Sequence, residues 1–174
     1  VRSTPVPDPP QLDDGEIRLR RRRISDVPAI ASGVNDPESL RWLDAPPPNA
    51  DDAEASLRRV EEAFGRGTAA PLVIADVGTD APLGLLSVQF RSDTVATLAY
   101  TVFPAARGRG AATRAVALAR EWAFSGLALA ELRLEIDGDN EASLRVAERA
   151  GFALLPEVLT PRGERVYAVR GPAR

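Results

Sequence analysis

Arg107-Gly108-Arg109-Gly110, followed directly by Ala111 and Ala112, combines bare main-chain amide with fixed positive charge, which is the chemistry of an anion cradle. The run lies between residues 94–102, rich in Thr, Val, Leu and Tyr, and residues 111–125, rich in Ala with apolar residues at helical spacing. It therefore reads as a strand-to-helix loop. A helix start presents unpaired N–H groups and the positive end of the macrodipole, and glycine lets a phosphate approach the main chain with no Cβ in the way. Gly-rich strand-to-helix turns are also common as plain connections, so the loop alone leaves phosphate binding and a simple turn both open.

A second group of polar residues follows. Asn140 caps a helix running to Ala150 with Gly151 as its stop. On it Ser143 shares a face with Val146, Ala147 and Ala150, while Glu141, Arg145, Glu148 and Arg149 take the other. Ser143 thus points inward. Earlier in the chain, Trp42 stands between charged neighbours ahead of Pro46-Pro47-Pro48, where it either plugs the core or forms the wall of an acceptor pocket.

Composition narrows the chemistry. The 174 residues contain no Cys and no His, which removes disulfides, thiolate nucleophiles, imidazole bases and most zinc or transition-metal sites. Carboxylates, hydroxyls, Arg and backbone are left to act, and no metal is expected. All 22 basic residues are Arg, against 25 Asp and Glu for a net charge of −3, so overall charge does not favour nucleic acid. The run Arg20 to Arg23 could be a phosphate patch, but strand alternation splits it between two faces, which favours a solvated edge. No apolar run approaches the ~20 residues that span a bilayer and the start shows no signal-peptide pattern; a cytoplasmic protein without membrane contact is expected, with a homodimer left open.

The elements that position these groups follow from pattern. Residues 1–14, with Pro5, Pro7, Pro9 and Pro10, cannot form regular helix and read as a flexible or strapped leader outside the fold. A domain over residues 15–170 and a frayed tail over 171–174 complete the division. Residues 16–24 alternate as a strand; Ser25 caps a short helix to Val34; a second short helix covers 38–43. Residues 51–64 form an amphipathic helix, with Ala55, Leu57, Val60 and Phe64 as its apolar face and Gly65 or Gly67 as its stop. Strands at 72–76, 83–91 and 94–102 are joined tightly enough to be antiparallel. The strand at 131–137, beyond a helix, should pair parallel to 94–102 through a right-handed crossover. Closing strands lie near 152–158 and 164–169. The fold class is α/β (α+β): a mixed, mostly antiparallel sheet of about seven strands, helices on both faces and a central parallel pair.

Tyr100-Thr101-Val102, Pro104, Arg107-Gly108-Arg109-Gly110-Ala111-Ala112, and Asn140-Glu141-Ala142-Ser143 followed by Gly151-Phe152 together resemble the GNAT superfamily of acyl-CoA-dependent N-acetyltransferases. Residues 17–24, Asn35-Asp36-Pro37 to Trp42-Leu43 and the Asn-x-x-Ser helix start resemble its branch of ribosomal-protein N-terminal acetyltransferases. The resemblance covers residues 16–169. It implies that the strands ending at Val102 and Asp137 splay apart to admit pantetheine, that backbone at Val102 binds it, and that Arg107, Gly108, Arg109, Gly110, Ala111, Ala112 and Thr113 hold the pyrophosphate of acetyl-CoA. Asn140 would face the cofactor or serve only as helix cap. Trp42 and Tyr100 would contact the acceptor, a peptide N-terminus or a small-molecule amine that attacks the thioester directly. Ser143 is the candidate to protonate the departing thiolate; bonding back to the carbonyl of Asp139 is its alternative. Many relatives carry Glu where Thr97 stands and Tyr where Ala147 stands. Glu135 or Asp137 could replace the missing base, or be merely solvated. A non-catalytic acyl-CoA-binding module is the competing reading.

Overall fold

The computed structural model describes residues 1–42 and 52–172. Period-2 alternation builds its sheet. In β2 (Ile17–Arg21) Ile17 and Leu19 are buried while the arginines between them are not. β3 (Ala69–Asp76), β4 (Pro82–Phe90) and β5 (Val95–Val102) extend it as an antiparallel meander. Helix α4 (Ala111–Ser125) then crosses to β6 (Glu131–Ile136), which pairs parallel to β5 as expected. After α5 (Glu141–Arg149), β7 (Ala153–Leu159) and β8 (Arg165–Arg170) close the sheet, and with β1 (Leu12–Asp13) at its other edge the order is β1-β2-β3-β4-β5-β6-β8-β7.

Among the described residues the sheet has eight strands where about seven were expected, and the additional one comes from the presumed leader. Leu12–Asp13, strand β1, pairs with β2, Leu12 and Val6 are buried, and the first residues are tied down by Val1 N→Phe90 O and Arg2 N→Gly67 O. Prolines forbid helix but not an extended chain that lays two apolar side chains on the core. At the other end Gly171 N donates to Ala130 O; residues 173–174, part of the expected frayed tail, lie outside the described residues.

The larger apolar cluster joins Leu72, Ile74, Leu86, Val88 and Leu98 to Ala115, Val116, Ala119 and Trp122 of α4. On the opposite face Ile30 and Val34 of α1 (Val27–Val34) meet Val73, Ala75 and Phe103. Helix α2 (Pro37–Trp42) follows directly; Leu43, expected to end it, lies outside the described residues, as does the Pro46–Pro48 stretch. Ser25 does not cap α1: it sits inside a 3-10 turn, Ile24–Asp26, and the carboxylate of Asp26 instead accepts from Arg23 N at 2.7 Å. In α3 (Ala53–Gly65) Val60 and Phe64 are buried as expected, but the third buried position is Ser56, not Leu57, because Ser56 accepts from Arg22 Nη1 at 2.8 Å.

The arginine run is neither a patch nor a free solvated edge. Arg20 donates to both oxygens of Asp26 and to Asp80, Arg21 pairs with Asp8 and Glu61, and Arg23 pairs with Asp80. Neutralisation inside the fold removes it as a polyanion site. Among the described residues no helix is long and apolar enough to cross a membrane, and no group of three or more carboxylates could hold a metal ion.

Gly84 on β4 faces the end of β5, where a Cβ would stand 2.3 Å from Thr101 O and 3.1 Å from Val102 Cα. Backbone atoms cannot yield as a side-chain tip can. Gly84→Ala should therefore cost the ~1–3 kcal/mol of overpacking, read as a lower melting temperature by about 2–4 °C per kcal/mol at this chain length. An unchanged melting temperature would show that β4 and β5 have slack at this point.

Candidate active site

The parallel ladder stops before its strands do. Its last pair is Leu98↔Leu134, yet β5 continues to Val102 and β6 to Ile136. On the far side of β5 pairing continues to Gly84↔Val102, and Phe103 N donates to Leu83 O at 2.8 Å. Because backbone groups alternate sides along a strand, Val102 N–H is directed away from β4 and into the opening between β5 and β6. Val102 O is held by Arg107 Nε at 3.0 Å.

A cavity of about 480 Å³ fills this opening, with Glu38, Ser39 and Trp42 of α2 on one wall, Tyr100 to Val102 at its base, and Ala142, Ser143, Val146 and Arg149 of α5 opposite. The size is that of a small-molecule site. Gly108, Gly110, Ala111, Ala112 and Thr113 line its mouth. Gly108 and Gly110 have φ of +74° and +79°, with no atom within 4 Å of either Cβ position, so conformation rather than crowding demands glycine there. The first bond of α4 is Arg114 N→Gly110 O, and none of the amides of residues 108–113 has a partner among the described residues. Arg109 is exposed beside them and makes no ion pair among the described residues, though it does not line the cavity. Trp42, for which core and pocket both stood open, is on the wall, with Arg41 stacked 4.4 Å from the ring centroid.

Arg107 has another use than the one expected of it. Nε donates to Val102 O, Nη1 to Asp36 (3.0 Å) and Glu38 (2.9 Å), and Nη2 to Asp36 (3.0 Å) and Ser39 Oγ (2.9 Å). All five guanidinium donors are occupied. Its donors are spent on clamping α2 to the end of β5, while its side chain also lines the cavity. The Arg107 guanidinium, helped by Ser39, holds the Asp36 carboxyl well below the usual carboxylate range.

Asn140 Oδ1 accepts from Ser143 N at 3.1 Å, so its cap role is present, and its side chain also lines the cavity. Ser143 Oγ makes no bond to Asp139 O and faces the cavity beside Tyr100. The Tyr100 hydroxyl is buried and has no hydrogen bond of normal geometry. Burial pushes its pKa up to about 12, against a smaller opposing influence of Ser143.

Glu135 does not reach the site. Leu132, Leu134 and Ile136 of β6 are buried in the α4 cluster, which turns Glu135 to the other face, where Oε1 accepts from Thr97 Oγ1 at 3.3 Å and Arg91 lies 3.6 Å away. Asp137 is exposed and accepts from Asp139 N at 2.9 Å. Among the described residues the carboxylate that does line the cavity is Glu38, already paired with Arg107. Sequence reading also missed Arg145 and Arg149, assigned to the solvent face. Ala142, Arg145, Val146 and Arg149 form an i, i+3, i+4, i+7 stripe, the signal that could have placed them on the cavity.

A family model described as "Acetyltransferase (GNAT) domain" matches residues 16–153. The chain belongs to the GNAT acetyltransferase family. A search of the curated proteins finds no match. Among solved structures the GNAT chain is similar to the ribosomal-protein-S5-alanine acetyltransferase of Vibrio fischeri, at 18% identity and TM-score 0.77 over 94% of this chain and 97% of that one. It is similar to RimJ of Mycobacterium smegmatis, solved with CoA-disulfide, at 21% and 0.74 over 88% and 81%. It is also similar to the microcin C7 self-immunity acetyltransferase MccE, solved with acetyl-CoA and AMP, at 18% and 0.73 over 90% and 93%. At these identities the likeness is one of fold.

The clamp in this GNAT chain has a pH signature. Asp36 has a folded pKa below its unfolded value, so its contribution is complete above the ordinary Asp value near 3.9 and is lost as pH falls from there through the folded value. Asp36→Asn should melt below wild type at neutral pH, and the gap should close on acidification below about pH 4. A gap that stays constant down to pH 2.5 would mean that the Asp36 charge contributes nothing to the clamp.

Proposed function

We propose that this chain transfers an acetyl group from acetyl-CoA to a primary amine. The observation that carries the reading is the continuous set of unpartnered amides at residues 108–113, at the mouth of a cleft whose base offers Val102 N–H. Six N–H groups at a helix start suit a pyrophosphate, and Arg109 adds charge beside them. The gap between β5 and β6 suits an extended amide chain, since backbone there lacks a strand partner. Acetyl-CoA supplies the activated acyl group.

The chain's own residues have three tasks. Val102 N–H, directed into the cleft because the Thr101 carbonyl of the same peptide faces β4, is the donor for the acyl carbonyl. Ser143 is the hydroxyl for the leaving sulfur. Trp42 and the Tyr100 ring form apolar walls for the acceptor. Among the described residues no free carboxylate lines the cavity, which favours an amine that needs little help. An α-amine of pKa about 7.7 to 8.0 is roughly 10 to 20% free base near neutrality, a lysine side chain below about 0.1%. A peptide N-terminus or a small-molecule amine of low pKa is the acceptor class. The same lack of a free base also suits an acyl-CoA-binding module without turnover, and an assay over a panel of peptides and small amines separates the two.

Acetyl-CoA should raise the melting temperature, since a ligand that binds only the folded state at 100 times its dissociation constant stabilises by about 2.7 kcal/mol. Gly110→Val should fold but lose most of this shift, because a β-branched residue resists φ near +79°. No shift and no calorimetric heat with the wild-type chain at millimolar acetyl-CoA would contradict the reading. Full binding by Gly110→Val would reduce the loop to a turn.

A further inference from the structure

We propose that Arg145 and Arg149 of α5 form a subsite for the 3′-phosphate of acetyl-CoA, so that the chain distinguishes CoA from its 3′-dephospho form. The inference rests on the acetyl-transfer reading above and deepens it. Helix α5 is sorted by charge. Arg145 and Arg149 line the cavity with Ala142 and Val146, whereas Glu141 and Glu148 of the same helix do not. A solvated helix face mixes the two signs, and like charges at i, i+4 weaken a helix unless an anion meets them. Arg149 has no ion pair among the described residues, and Arg145 has an exposed pair with Glu141 at 3.2 Å that leaves its other donors open. A cation in the last turn also suits the helix dipole, which accounts for Arg149 but not for Arg145 one turn earlier.

Position decides which ligand the arginines meet. Ala147 and Ala150 pack in one cluster with Ala115 and Ala119 of α4, and Arg120 Nη1 donates to Ala150 O at 3.0 Å. Helix α5 thus lies against the helix whose start carries the unpartnered amides. The acceptor walls are elsewhere: α2 meets the other face of the sheet, where Ser39 Oγ stands 3.4 Å from Thr101 Oγ1, and strand alternation turns Thr101 away from the side of Leu98 and Tyr100. The two guanidinia are on the cofactor's side of the cleft.

With the pyrophosphate on the amides of 108–113, the 3′-phosphate lies one ribose away and can turn to either flank of α4. One flank is closed to it. There Arg114 is spent on Asp14 at 2.9 Å and Glu16 at 2.6 Å, and carboxylates turn an anion away. The other flank is α5, with two guanidinia whose planar forks match the edge of a phosphate. Ala142 and Val146 between them give the adenine an apolar surface.

The test is calorimetric titration of the full chain with CoA and with 3′-dephospho-CoA. Wild type should bind CoA more tightly on the order of tenfold, as expected of charge-assisted bonds at a partly screened site, and added salt should shrink the ratio. The ratio should fall toward one in the variant carrying Arg145→Ala and Arg149→Ala, and its retained affinity for 3′-dephospho-CoA shows that it is folded. Arg109→Ala, beside the amides, should weaken both ligands alike and keep the ratio. Equal affinity of wild type for the two ligands would overturn the proposal and leave the acetyl-CoA reading standing. So would a ratio that survives the double substitution, or one that collapses in Arg109→Ala instead. Binding of neither ligand by wild type would remove the acetyl-CoA reading and the subsite with it.

Discussion

The Arg107 guanidinium is the constraint on which the site depends. With its five donors divided among Asp36, Glu38, Ser39 and Val102 O, it joins a six-residue helix too short to hold itself in place to the end of the central strand. Two consequences follow together. The wall carrying Ser39 and Trp42 is fixed against Tyr100 and Thr101, and the Val102 carbonyl at the end of β5 is held in place. Lysine could not substitute, since a single ammonium has three donors and no planar fork.

The opposite wall is positioned by packing rather than by charge. Helix α4 is seated by Ala115, Val116, Ala119 and a fully buried Trp122, and Arg120 Nη1 reaches from it to Ala150 O at 3.0 Å, closing the C-terminus of α5 where Gly151 turns at φ +76°. The amide cradle and Ser143 thus sit on two helices bound to each other. Gly84 completes the arrangement by letting the Thr101 carbonyl sit against β4, which leaves Val102 N–H for the gap.

Much of this was legible in the chain. The Ala-rich run predicted α4 residue for residue, the tight turns predicted the meander, and the intervening helix predicted the parallel pair. Gly108 and Gly110 were legible because a positive φ leaves a mark on residue type. The clamp made by Arg107 was not legible for the opposite reason: its partners Asp36 and Glu38 stand some 70 positions earlier, and no local pattern records a long-range ion pair. Glu135 failed through strand parity, since a one-residue difference decides which face a side chain takes. Val6 and Leu12 were hidden among prolines, where isolated apolar residues have no period to reveal them.

Backbone amide NMR of the 18.6 kDa chain titrated with acetyl-CoA tests the central claim most directly, because the claim concerns particular N–H groups. The account predicts that the largest shifts fall on Val102 and on residues 108–113, with smaller ones from Asn140 to Ser143. Shifts that leave the amides of 108–113 unmoved, or that gather instead on the arginine run of β2, would contradict it.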